Sequence, residues 1–419
     1  MSPRSLSPRV LALAAFIALP AWAAPLQLGE SVPDATSLDD PEVDDAQQIW
    51  LAMIEGAEST IDLSQFYVSP KAAKDGGKKD GRLKPVLDAL DAAAKRGVTI
   101  RFLIDAKFAK TYPDTLDKLQ KNKSVEVRRL DLKPHTGGVQ HAKYFVVDQK
   151  IGWLGSQNFD WRSLQHITEL GVRLEDPTLV ADLHKVFEVD WAIAGGAANV
   201  VEAGATESPE VEGEGPPTKL TYEDGDVEAI LVASPRSMLP EGVDWDLPHL
   251  IAAIDGARHR VRAQVMTYAL IGYDKKYWDA LDTALRRAAA RGVEVQFIVA
   301  DWSLHKKKQE ALKSLQVMSH LEVRVMSIPQ LEGEAFVEFG RVVHAKYLVV
   351  DGKWAWLGTS NWSRDYFYGS RNVGVVVQGE SFGSDLDAWF ERMWNSEYAE
   401  TIDPAKSYRA PPRQKKKNR

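Results

Sequence analysis

Hydrophobic and polar positions switch between two periods along this chain, and the switches repeat. Val86, Leu87 and Leu90 recur at helical spacing, and Gly97 follows as a helix stop. VTIRFLI (98–104) is then a short continuous apolar run, the pattern of a buried strand. LDTALRRAAARG (281–292) and VEVQFIVA (293–300) repeat that helix, glycine and strand. Ahead of each block a helix ends near a glycine, at AMIEG (52–56) and AAIDG (252–256). The strands IDLSQFYV (61–68) and VRAQVMTY (261–268) follow. Behind each block come SVEVRRL (124–130) and LEVRVMS (321–327). Each half then predicts a hairpin, with strands beginning at His141 and His344 and turns at Gln149-Lys150 and Gly352-Lys353. Amphipathic helices near 178–194 and 381–398 close the two halves. The same order twice means a duplicated α/β domain, a mixed sheet flanked by helices.

The hairpins carry more than packing letters. HAKYFVVDQKIGWLGSQN (141–158) and HAKYLVVDGKWAWLGTSN (344–361) agree at twelve of eighteen positions, and the His, Lys, Asp and final Asn stay in register. A core needs only the Val, Tyr, Trp and Leu letters to recur. On a strand, residues i and i+2 face the same way, so His141 projects with Lys143 and His344 with Lys346. Asn158 and Asn361 arrive on the returning strands behind Ser156 and Thr359. If the domains pack about a pseudo-two-fold, these groups line one shared site at the interface. Lysines, amides and hydroxyls suit a tetrahedral anion, whose developing charge they stabilise. Two histidines divide the work: a neutral imidazole attacks phosphorus, and a protonated one gives its proton to the leaving oxygen. His-Ala-Lys is a poor metal site, because a protonated lysine is not a ligand, so no metal or other cofactor is expected. Asp148 and Asp351 lie five residues past the lysines and face away; they read as structural residues that hold the hairpin.

Composition frames this picture. A chain of 419 residues divides by default into domains. The reading is an export signal at 1–23, a first domain at 24–193, a Gly, Ala, Glu and Pro-rich linker at 194–220, a second domain at 221–400 and a basic tail at 401–419. Arg4, Arg9, the apolar run Val10–Leu19 and Ala21-Trp22-Ala23 form the signal, cleaved near Ala23, so the chain is read as exported, periplasmic or secreted. With no cysteine, disulfides, thiolate chemistry and cysteine-ligated zinc are excluded. The net charge of −7 becomes −9 without Arg4 and Arg9, which argues against a general nucleic-acid coat but not against a local basic groove. The tail, with Lys415, Lys416 and Lys417, reads as a disordered solubilising end in preference to a phosphate- or membrane-touching arm.

H-x-K-x4-D followed by G-S or G-T and x-N resembles the signature of the phospholipase D superfamily, here His141, Lys143, Asp148, Gly155, Ser156, Asn158 and His344, Lys346, Asp351, Gly358, Thr359, Asn361. VVDQKIGWLGSQNFDWRSLQHITELGV, LGTSNWSRDYF and ESVPDATSLD are similar to the branch containing phospholipases D three and four. The resemblance implies metal-free phosphohistidine chemistry that cleaves or transfers phosphodiesters, on phospholipid head groups or on the ends of single-stranded nucleic acid; the chain itself is read as open to peripheral membrane contact, with no obligate protein partner evident in the sequence. It also implies an acidic residue that orients a histidine, reaching across the halves; Glu169 holds that place and Asn372 the matching one. A carboxylate favours the imidazolium and an amide does not. Following the family, His141 is then the nucleophile and His344 the acid. The competing class is a non-catalytic membrane-binding or assembly protein on the same fold, against which both complete motifs argue.

Overall fold

The computed structural model describes residues 25–70, 81–111, 113–197, 217–305 and 308–414. The proposed signal and the centre of the proposed linker fall outside them. At the linker's ends the chain is regular: a helix runs Pro177–Ala194, and a strand begins at Thr218, inside the expected linker.

Each half is one mixed sheet, and seven successive strands follow the same order in both, with different strands at the edges. In the first, the order is Asp44–Asp45, Leu26–Ser31, Ile167–Leu174, Ile151–Gly155, Tyr144–Val147, Thr60–Gln65, Thr99–Asp105 and Val125–Leu130. In the second it is Thr218–Tyr222, Gly225–Ser234, Asn372–Gln378, Trp354–Gly358, Tyr347–Val350, Arg260–Val265, Glu294–Ala300, Leu321–Met326 and Ala399–Thr401. The predicted helices form at Leu83–Arg96 and Ala280–Ala290, and Gly97 and Gly292 take the left-handed conformation that ends them (φ 101° and 86°). The closing helices are Pro177–Ala194 and Glu380–Trp394.

Four central strands were not foreseen. Leu26–Ser31 pairs antiparallel with Ile167–Leu174, and Gly225–Ser234 with Asn372–Gln378. Ile167–Leu174 and Asn372–Gln378 are covered on both faces, so they lack the alternation that marks a half-exposed strand. They matter because Glu169 and Asn372 sit on them.

The hairpins turn one residue earlier than their letters suggest. Asp148 and Gln149, then Asp351 and Gly352, all have positive φ (52–65°), as a two-residue type I′ turn requires. Asp148 accepts from the backbone N–H groups of Glu58, Ser59 and Thr60, and Asp351 from those of Arg258, His259 and Arg260, at 2.7–2.9 Å. The two aspartates therefore tie each hairpin to the start of its neighbouring strand. These bonds hold both carboxyls below their ordinary pKa despite burial.

The halves share a core. One cluster runs from Leu26 through Leu183 to Trp389 and Trp394, so the domain interface is built like an interior. Across it, Ile167-Thr168 pairs in parallel with Val342-Val343. Arg371 and Asp190, both fully buried, form a bidentate ion pair at 2.7–2.9 Å. Arg371 also donates to the carbonyls of Ser234 and Met238, which satisfies a charge that burial would otherwise penalise. The tail reading needs correction up to residue 414; Lys415, Lys416 and Lys417 lie outside the described residues. Residues 401–414 are docked: Ala399–Thr401 closes the second sheet, Tyr408 exchanges hydrogen bonds with Gln309, and Tyr408 and Ala410 pack on the second core.

Candidate active site

His141 and His344 lie just ahead of their strands, not within them; the ladders begin at Tyr144 and Tyr347. What holds them is the other half of the molecule. The His141 N–H donates to the carbonyl of Arg371, and the His344 N–H to that of Thr168 (3.0 and 2.8 Å). Each acceptor immediately precedes the residue that orients the imidazole. Nδ1 of His344 meets Oε2 of Glu169 at 2.6 Å, and Nδ1 of His141 meets Oδ1 of Asn372 at 3.0 Å. Neither histidine is oriented by its own domain.

The hydrogen-bond network fixes the His141 tautomer. The Asn372 amide NH2 donates to the carbonyls of Tyr366 and Ser370 (2.8 and 3.2 Å), so its oxygen faces the imidazole. That oxygen only accepts, so Nδ1 carries the hydrogen and Nε2 keeps its lone pair. Burial and the charges of Lys143 and Lys346 push the His141 pKa well below its ordinary value. A neutral imidazole with a free Nε2 is a nucleophile.

Glu169 can do what an amide cannot. Its carboxyl is pushed up to about 8 by burial, against the opposing pull of Lys346. Burial and the lysines lower His344. Two groups in contact thus share one proton to about pH 8, available at His344 Nε2. Each lysine bonds the carbonyl of its own motif's histidine, Lys143 to His141 and Lys346 to His344. Lys346 is lowered to about 7 by burial, and Lys143 well below its usual range by burial and by Lys346. An anion placed between them would restore both charges.

Asn361 spends its oxygen on the Thr267 N–H (3.1 Å), which leaves its NH2 as a donor; buried Asn158 Oδ1 has no protein partner among the described residues. The hydroxyls of Ser156 and Thr359, expected to donate to substrate, are engaged by the protein itself. The Ser156 hydroxyl bonds both the carbonyl and the N–H of Leu170 (3.2 and 3.0 Å). The Thr359 hydroxyl donates to Asn372 Oδ1 (2.9 Å) and accepts from the Val373 N–H. Both brace the strands that carry Glu169 and Asn372.

Of the aromatics behind the asparagines, Phe159, Trp362 and Phe367 are core. Tyr366 is not: its ring packs edge-on to His141 at 4.9 Å. Phe66 lies 5.0 Å from His141 on another side and 4.1 Å from Phe108, and Lys143 Nζ sits 4.9 Å from its centroid. Phe66 and Phe108 were missed; Phe-Tyr at the end of the strand IDLSQFYV was the available signal. One other cluster among the described residues has ligand spacing, Asp62, His184 and Glu188, and Arg101 already bridges its two carboxylates at 2.6 Å. That cluster is an ion-paired network.

Two like domains closing on one buried set of His, Lys and Asn define a duplicated phosphodiesterase of the phospholipase D class. The chain belongs to the family described as "Cardiolipin synthase, PLD-like domain", whose model matches residues 50–191 and 250–394. It is 30% identical over 397 residues to the rat protein "5'-3' exonuclease PLD3", covering 90% of this chain and 80% of that one. It is 32% identical over 386 residues to "Phospholipase D Z" of Dictyostelium discoideum, covering 89% and 90%. Among solved structures it resembles phosphatidylserine synthase of Haemophilus influenzae in fold, with a TM-score of 0.60 at 11% identity and 85% of each chain covered.

Proposed function

We propose that this chain cleaves single-stranded nucleic acid from its 5′ end through a phosphohistidine on His141. The difference between the two Nδ1 partners carries the mechanism: an amide on His141, a carboxylate on His344. His141 Nε2 attacks phosphorus, the bond to the leaving oxygen breaks, and that oxygen takes the proton from His344 Nε2. Water then attacks the phosphohistidine and gives its proton to His344, and the N–P electrons return to His141. Lys143, Lys346 and Asn361 stabilise the charge on the non-bridging oxygens. The donor set supplies cations where another enzyme uses a metal, so millimolar EDTA should leave the rate within about twofold.

The aromatic side chains of Phe66 and Tyr366 packed on His141, with Phe108 against Phe66, support the substrate assignment, because aromatic groups beside the nucleophile suit a nucleobase. The name of the rat relative points the same way. In the test, single-stranded oligonucleotides labelled at either end are incubated in EDTA beside phosphatidylcholine vesicles. The 5′ label should leave first as a mononucleotide while the 3′-labelled strand shortens stepwise. Choline release with intact oligonucleotides would overturn the assignment in favour of phospholipid. Export is the companion proposal, supported by the n-region, apolar run and A-x-A of residues 1–23. No helix among the described residues is long and apolar enough to cross a membrane.

The pH profile follows from the site. His141 must be neutral, and its depressed pKa keeps it so well below pH 6.5. The Glu169–His344 pair must hold its proton, which it loses as pH rises through about 8, and Lys346 loses its charge near 7. In kcat/KM, which reports the free enzyme, activity should therefore persist into acid and fall on the alkaline side, beginning near pH 7. Glu169→Gln should flatten the limb near 8 as well as slowing turnover. A profile that rises through pH 8 would contradict this assignment.

A further inference from the structure

Asp105 ends the strand Thr99–Asp105, and its carboxylate meets three N–H groups. Oδ1 accepts from Lys107 and Phe108 at 2.9 and 3.0 Å, which caps the short helix Ala106–Ala109. Oδ2 accepts at 3.0 Å from the N–H of Gln140, 35 residues further along and one residue ahead of His141. Asp105 is almost wholly buried, and burial raises its pKa; its bonded partners are all donors, which suits the ionised carboxylate. Gln140 is held on other sides as well. Its amide donates to the Ser64 hydroxyl, and its backbone bridges Arg371 of the other half. The His141 N–H then reaches the Arg371 carbonyl at 3.0 Å. The residue that leads into the nucleophile is therefore clamped between the halves, with Asp105 on one side and Arg371 on the other.

The same carboxylate fixes the aromatic wall beside the nucleophile. The helix it caps carries Phe108, whose ring lies 4.1 Å from that of Phe66, and Phe66 lies 5.0 Å from the His141 imidazole. Backbone and ring contacts of His141 thus meet at one side chain. The two halves differ here. Ile100 lies opposite Ile61 as Val295 lies opposite Val261, so the place that Asp105 holds in the first half belongs to Ala300 in the second. There Val343, ahead of His344, is held by the strand ladder that pairs it with Thr168. Gln140 has an isolated bridge in place of that ladder, and a side-chain tie does the work of the strand.

We propose that Asp105 is the positioning residue of the nucleophile, fixing the backbone ahead of His141 and the Phe66–Phe108 wall with one carboxylate. The proposal rests on His141 as the nucleophile. In-line attack needs its Nε2 closely placed, and a displacement of about 1 Å costs about 10²-fold. Asp105 also acts on Lys143: burial and Lys346 lower that lysine, Glu169 and Asp105 raise it, and His141 is its bonded neighbour. Asp105→Asn keeps an oxygen for the helix cap but turns an NH2 toward the Gln140 N–H, so the cap stays and the tie is cut. Single turnovers with bis(p-nitrophenyl) phosphate read the attack of His141, and release of p-nitrophenolate should slow about 10–100-fold. Without the carboxylate, Lys143 loses its charge at lower pH. The ratio of Ki for inorganic phosphate, variant over wild type, should therefore climb with pH, to about tenfold near pH 8. Asp105→Glu keeps the charge but misplaces the oxygens, so it should slow the turnover and leave that ratio flat. A flat ratio in Asp105→Asn beside a slowed turnover, or loss of folding in both variants, would make Asp105 a structural residue and overturn the proposal. An unchanged single-turnover rate would overturn it and leave His141 as the nucleophile. A phosphoryl group trapped on His344 in place of His141 would overturn both.

Discussion

His141→Ala should lose turnover by about 10⁵-fold or more, and no phosphorylated enzyme should be trapped from it, because the variant lacks the imidazole whose bare Nε2 attacks phosphorus. His344→Ala should fail differently. With a leaving group that needs no proton, such as p-nitrophenolate, His141 can still be phosphorylated. Nothing then activates water, so the adduct should persist. Rapid quench with intact-mass analysis should show the added mass on the His344 variant alone. The structural basis is the asymmetry at Nδ1: Asn372 holds His141 in the tautomer that leaves Nε2 bare, and Glu169 keeps a proton available to His344. An adduct on the His141 variant would exchange the two roles. Activity without any adduct would mean direct attack by water and end the covalent mechanism.

Lys143→Ala and Lys346→Ala should each cost about 10²–10⁴ in kcat, several kcal/mol of transition-state stabilisation. Both side chains are almost wholly buried, yet among the described residues neither is paired with a carboxylate. Burial lowers the pKa of each, so its charge comes at a desolvation cost that a bound phosphate offsets. The variants should therefore fold at least as stably as the wild type while losing activity. Thermal unfolding beside steady-state kinetics checks both halves of this expectation. A variant with a normal rate would place the chemistry elsewhere. One that is inactive only because it unfolds would make the lysine a structural residue.

Much of this protein is legible as letters because duplication writes each feature twice. Helices ending at Gly97 and Gly292 and the hairpins after His141 and His344 follow from local periods and turn chemistry. The Asp148 and Asp351 pattern also reads locally, since positive φ at a turn and bonds to nearby N–H groups are short-range. Ser156 and Thr359 have protein partners that their letters do not announce, for a physical reason. Beside a catalytic asparagine, a hydroxyl looks like a donor to substrate, but the neighbouring strand offers a carbonyl and an N–H at closer range. The strands carrying Glu169 and Asn372 were illegible because full burial on both faces erases alternation. Residues 401–414 of the tail were misread because their charges were weighed without Tyr408, the anchor that docks them.

By itself the sequence determined the duplicated α/β domains and the pairs of His, Lys and Asn, since periodicity and repetition are properties of the chain. Only the tertiary structure decided which partner each imidazole receives, through the Arg371–Asp190 pin and the strand pairing that carries Thr168 and Glu169 to His344. Those contacts join residues 175 and 231 positions apart, and no local pattern encodes them. Their strength comes from burial, because a carboxylate or an amide against an imidazole sets its proton only where water is excluded.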